Sequence, residues 1–164
     1  VNYYFVGLLI ACTAYACIAG GAPERIGAIG YALSCVATQL VISSHRGPWQ
    51  HVEYGVFLID VVMLALSCLL ALRANRFWPV WASAFLGLGV LGHLGRWLLA
   101  DAYWWAYAVV LAIWSYPILA IIALGTWAHR RRIALLGYDQ SWSTIRPELS
   151  SSHWYTKCRT LPPG

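Results

Sequence analysis

Charge is what this sequence has least of. Only 10% of its 164 residues are Asp, Glu, Lys or Arg, against 60% apolar residues and a mean hydropathy of +0.62. A single domain of this length has too little interior to hide so much apolar surface. The composition therefore excludes an ordinary water-soluble globule and points to a polytopic membrane protein. The formal net charge of +5 is gathered at one end of the chain rather than spread as a basic face, so nucleic acid is not expected as a partner.

Catalytic signatures are missing as well. There is no nucleophile with an adjacent base, no glycine-rich phosphate loop, and no H-E-x-x-H or other metal motif. Neither an enzyme nor a metal site is expected. No direct or inverted repeat is present, so the usual mark of a transporter is absent. Five cysteines occur, Cys12, Cys17, Cys35, Cys68 and Cys158, with no C-x-x-C pair and four inside apolar runs. They read as small packing residues rather than a disulfide frame. The opening "VNYYFVGLLIACTAYACIAGG" has no basic n-region, so it fits poorly as a cleavable signal peptide.

What is present is a series of long apolar runs. A spanning helix needs about 20 mostly apolar residues, and five segments qualify: Tyr3–Gly20, Ile26–Ser43, Tyr54–Leu72, Phe77–Ala100 and Tyr103–Trp127. The fold class expected is an all-α membrane protein of about five transmembrane helices, with four plus an interfacial segment as the fallback. Short connections such as "GAPER" and "RANR" force neighbouring helices to run antiparallel. Ten tryptophans and ten tyrosines suit rings at a bilayer interface. With five spans, Arg25, Arg73, Arg76, Arg130, Arg131, Arg132, Arg146, Lys157 and Arg159 fall on one side, and Arg46 and Arg96 on the other. The positive-inside rule then puts the N-terminus outside and the C-terminus in the cytoplasm.

Small residues at four-residue spacing predict close helix contacts: Cys12, Ala16 and Gly20; Gly30, Ser34 and Thr38; Ser83 and Gly87. Pro117 predicts a kink in the last helix. Beyond "HRRR" at His129–Arg132, a topology anchor in reach of acidic lipid headgroups, the chain turns polar and loses all periodicity. Residues 1–132 thus read as the bundle and 133–164 as an extended cytoplasmic tail. Trp142, Arg146, Trp154, Tyr155, Lys157 and Arg159 give that tail the aromatic anchors and cations of a segment that docks on a partner.

One carboxylate, Asp60, stands inside "YGVFLIDVVMLALSCLLAL". At 1.5 Å per residue it lies about 9 Å below the outer end of its helix. On the antiparallel helix that follows, His93 lies at a similar depth, Arg96 lies one turn further out on the same face, and Gln39 reaches the same level from the second helix. An isolated intramembrane charge costs several kcal/mol (roughly 3), so Asp60 is expected to pair with His93 or Arg96. This cluster admits a register-fixing pair, a ligand pocket or a proton relay. In "GLGVLGHLGRW", Gly89, Gly92 and Gly95 surround His93 and leave room for a flat ring. A tetrapyrrole ligated by His93, a pigment or haem, is therefore a candidate, although no cofactor beyond bound lipid is required.

The stretch from "PERIG" through "RANRFWPVWA" to "LAIWSYPILAIIALGTWAHRRR", about residues 23–132, resembles small, uncharacterised polytopic inner-membrane proteins of proteobacteria. That resemblance implies a bacterial inner-membrane location and brings no catalytic residues. The function expected is a non-catalytic accessory subunit of a larger respiratory or photosynthetic membrane complex, with other membrane subunits and lipids as partners. The alternatives are a small pigment-, haem- or quinone-binding protein centred on His93, and a proton-coupled transporter or membrane enzyme using Asp60 and His93.

Overall fold

The computed structural model describes residues 3–43, 54–98, 109, 112–139 and 141–142. Among them the chain is all helical, with five helices and no strand. They are α1 (Tyr3–Ala19), α2 (Ala22–Ser43), α3 (Tyr54–Arg73), α4 (Trp78–Leu98) and α5 (Ser115–Leu136). Two are long and apolar enough to cross a membrane, Ala22–Ile42 of α2 and Tyr54–Arg73 of α3, while α1 is apolar but shorter. Five spans are thus not established by length and composition, although five helices are there.

Helix boundaries follow the local chemistry. α2 begins before the expected Ile26, with Pro23 and Glu24 in its first turn, where a missing amide proton costs nothing and an acidic group meets the positive helix end. Pro117 lies in the first turn of α5. Its ring would crowd the carbonyl of Ile113, and the helical run is broken at Trp114, just before α5 and near the expected kink. α5 continues past Arg132 to Leu136, so the bundle extends beyond the expected boundary. It ends at Gly137, whose φ of 75° turns the chain away and whose N–H donates to the Ile133 carbonyl at 2.9 Å.

The helices pack mainly on their sequence neighbours, α1 on α2, α2 on α3 and α3 on α4, and the circuit closes through α4 on α5 and α5 on α1. The core is dominated by Ala16, Ala28, Leu119 and Ile122, all almost fully enclosed. At one end of the bundle the indole of Trp78 is driven between α2 and α5. A Cβ at Gly27 would stand 2.4 Å from the far edge of this ring, and one at Gly125 would stand 2.6 Å from its near edge. Only glycine leaves space there.

Two of the expected small-residue ridges make contacts inside the bundle. Cys12 and Ala16 are buried on α1, and a Cβ at Gly30 would come within 2.8 Å of Leu66. The third does not. Gly87 has no neighbour within 4 Å among the described residues, and α4 turns Ala82, Leu86, Gly89 and His93 inward instead. Leu86 and His93, the large side chains of that face, fill the bundle and leave Ser83 and Gly87 off the contact line.

Outward polarity is inverted relative to a soluble protein. Ile26, Ile29, Leu33, Val36 and Leu40 form one exposed stripe along α2, and Leu58, Val62, Leu69 and Leu72 another along α3. Glu24, Arg76, His93, Thr126 and His129 are buried. Continuous apolar surface on this scale is rare in water-soluble monomers.

Candidate functional site

Asp60 lies in the second turn of α3 and His93 in the penultimate turn of α4. Because these helices run antiparallel, the two meet: His93 Nε2 is 3.1 Å from Asp60 Oδ2. A carboxylate only accepts, so this contact places a proton on Nε2. The histidine side chain is fully enclosed, while Asp60 keeps 28% of its side-chain surface open. Phe57 stands edge-on to the imidazole at 5.6 Å, and Trp97 packs on Phe57 at 4.9 Å. These rings shield the pair on the α3–α4 side.

The open side of Asp60 faces a cavity of about 300 Å³ between α1, α2, α3, α4 and the start of α5. Tyr31, Phe85, Trp114 and Tyr116 give it aromatic walls, and Thr38 and Gln39 add polar groups from α2. The walls are tied together: Tyr31 Oη donates to the Ser115 carbonyl at 3.3 Å, and Phe85 and Trp114 pair at 5.6 Å. Asp60, His93 and Gln39 are therefore brought to one region, with Gln39 exposed. Arg96 lies a turn beyond His93 on α4, and the ion pair of Asp60 is with His93.

The geometry at His93 offers a tetrapyrrole no free Nε2. An axial ligand needs a ring nitrogen facing an open slot, whereas Nε2 faces a carboxylate and the imidazole has no exposed surface. A Cβ at Gly89 would stand 3.9 Å from Asp60 Oδ2, and one at Gly95 would meet nothing within 4 Å among the described residues.

A second polar cluster, which the sequence did not reveal, closes the opposite end of the bundle. Arg76, in the corner between α3 and α4, is almost wholly buried and joins two carboxylates. Its Nε donates to Glu24 Oε1 at 2.9 Å. Its two terminal nitrogens grip Asp139 side by side, at 2.9 and 2.8 Å, the bidentate fit that guanidinium and carboxylate share. His129 Nδ1 approaches Asp139 Oδ2 at 2.6 Å, Arg132 Nε at 3.2 Å, and Trp78 Nε1 donates to Glu24 Oε1 at 3.0 Å. Burial alone would raise the Asp139 pKa. The His129 and Arg132 hydrogen bonds and the nearby Arg76 and Arg132 charges outweigh it and hold the carboxyl below the ordinary range.

Asp139 reaches this cluster because the chain doubles back after Gly137. The Asn75 N–H donates to the Ser141 carbonyl at 3.3 Å, and Ala74 and Trp142 form an antiparallel bridge. The first part of the expected partner-docking tail thus lies on its own α3–α4 corner, with Trp142 partly exposed at 41%. Arg146, Trp154, Tyr155, Lys157 and Arg159 lie outside the described residues. All five groups of this cluster are joined by ordinary ion-pair chemistry, which suits a clamp. Among the described residues, no group of three or more His, Cys, Asp or Glu side chains is placed to hold a metal ion.

Compared with known protein families, with curated proteins and with solved structures, the chain matches none. The resemblance noted over residues 23–132 rests on its short motifs alone.

Proposed function

We propose that this chain is a multi-span membrane protein that binds a small lipophilic molecule in the cavity beside Asp60. The observation that carries the reading is the half-open carboxylate: Asp60 is paired on one side with His93 and faces an aromatic-walled cavity on the other. At about 300 Å³ the cavity is at the small end of small-molecule sites, which run about 300–1,000 Å³. The exposed apolar stripes on α2 and α3 support burial of the bundle in lipid, with all five helices crossing or entering the bilayer. The basic residues at the Arg76 end support a bacterial inner-membrane orientation with the C-terminus inside.

The test is a thermal shift of the purified chain in mild detergent, with 2-naphthylmethylamine, 1,4-naphthoquinone and 2-ethylnaphthalene as probes. A molecule that binds only the folded state raises the transition in proportion to the logarithm of its concentration over Kd. At least one probe is expected to do so for the native chain and not for Thr38→Trp, which fills the cavity from α2. Equal behaviour of native protein and Thr38→Trp with all three would remove the cavity as a binding site.

A second reading, a non-catalytic accessory subunit of a larger membrane complex, is favoured by the outward Ser83–Gly87 ridge. Small residues four apart with nothing packed on Gly87 among the described residues offer a surface for a foreign helix. Gly87→Ile should then shift the chain from a large to a small assembly when native membranes are gently solubilised. An unchanged size would count against this surface.

A further inference from the structure

We infer that the occupant of the cavity is a lipophilic organic cation, a protonated amine carried on one or two rings, with Asp60 as its counter-ion. The inference rests on the cavity reading above and adds the ligand's charge. Three features carry it. First, among the described lining residues Asp60 is the one acidic side chain, and no Lys, Arg or His lines the cavity with it. Its ion-pair partner among the described residues, His93, sits behind it on α4 and presents no surface of its own. The open side of the charge therefore faces a cavity in which the described lining residues supply no matching cation.

Second, the walls are rich in rings. Phe5, Tyr31, Phe85, Trp114 and Tyr116 surround the cavity, and aromatic faces attract a desolvated ammonium through their quadrupoles. Phe5 and Tyr116 meet edge to face at 5.4 Å, and Phe85 and Trp114 are tilted by 35°. These pairs stand on different helices, so a ring entering between them is held from two sides. Third, the polarity discriminates. A quinone or other carbonyl compound brings acceptors, and an acceptor beside a carboxylate is repelled. A protonated amine brings donors and a positive charge, which Asp60 takes directly, while Thr38 and Gln39 can meet a ligand's remaining polar groups. Asp60 is paired on its α4 side through the His93 imidazole, and a cation in the cavity would meet the part of the carboxylate left open.

The experiment compares isosteric probes that differ in charge. 2-Naphthylmethylamine and 2-ethylnaphthalene have nearly the same shape, and only the first is cationic at neutral pH. Thermal-shift titrations of the native chain should give the amine at least tenfold tighter apparent binding than the neutral isostere. In Asp60→Asn that preference should fall to within about twofold, with the neutral probe bound as before. A native protein that binds both probes equally, or prefers 1,4-naphthoquinone, overturns the cation assignment and leaves the cavity reading intact. No shift with any probe overturns both. The comparison in the native chain decides the question even if Asp60→Asn fails to fold.

Discussion

Gly125→Ala places one methyl group where the indole of Trp78 already stands. The added carbon would lie 2.6 Å from Cδ1 and 2.7 Å from Cγ of that ring, closer than any non-bonded carbon pair tolerates. The ring has no free direction of retreat, because its far edge would stand 2.4 Å from a Cβ at Gly27 and its Nε1–H is committed to Glu24 at 3.0 Å. Overpacking of this kind costs about 1–3 kcal/mol. Shifting the indole away from a charged acceptor adds about 1.5–3 kcal/mol, and the better helix propensity of alanine returns about 1 kcal/mol. The net loss is then about 1.5–5 kcal/mol. For a chain of this size it should lower the unfolding temperature by roughly 3–20 °C. Thermal unfolding in detergent measures it, with Gly95→Ala as the control, since nothing lies within 4 Å of Gly95 among the described residues. Trp78→Leu in the Gly125→Ala background should recover part of the loss relative to the sum of the single changes. If Gly125→Ala were as stable as Gly95→Ala, the wedge would not be the element that sets the spacing of α2 and α5.

Three further outcomes are expected. Arg76→Met takes the cationic partner from the buried Glu24 and should cost about 3–5 kcal/mol, whereas Arg76→Met with Glu24→Leu should be clearly milder in the same unfolding assay. Asp139 is held below its ordinary pKa when folded, so its contribution is complete above the unfolded value of about 3.9 and is lost as pH falls through the lower folded value. Asp139→Asn should therefore flatten the decline in unfolding temperature below about pH 4, and an unchanged acid slope would count against it. For orientation, an impermeant thiol reagent applied outside sealed cells should label Tyr54→Cys and spare Asn75→Cys, and the reverse pattern would invert the topology.

The helices were legible because apolar run length is written directly in the sequence, and α3 matches the expected span almost residue for residue. The meeting of Asp60 and His93 was legible for the same reason: antiparallel order and equal depth leave two opposite groups little choice. The cluster around Arg76 was not. Glu24 and Arg76 sat in the turn segments "GAPER" and "RANR", where charges ordinarily face solvent. Asp139 sat in a stretch with no periodicity. What pairs them is the reversal at Gly137, a single left-handed residue whose effect on distant contacts no local pattern carries. The available signal was topological, since the α1–α2 turn, the α3–α4 corner and the end of α5 all come to one end of an up-and-down bundle. The failure of the Ser83–Gly87 ridge is instructive in the opposite sense. Spacing identifies a smooth helix face, but which face turns inward depends on the larger residues beside it, here Leu86 and His93.

The doubling back of the chain after Gly137 also decides how load enters the molecule. Tension applied at Trp142 arrives first at the Ala74–Trp142 bridge and at the grip of Arg76 on Asp139. From there it passes through Glu24 into α2 and through the α3–α4 corner into two more helices. Pulling at this point strains the middle of the bundle in shear before it reaches the last turn of α5. A tether attached at Trp142 would therefore be mechanically continuous with α2, α3 and α4, and would report on their cohesion.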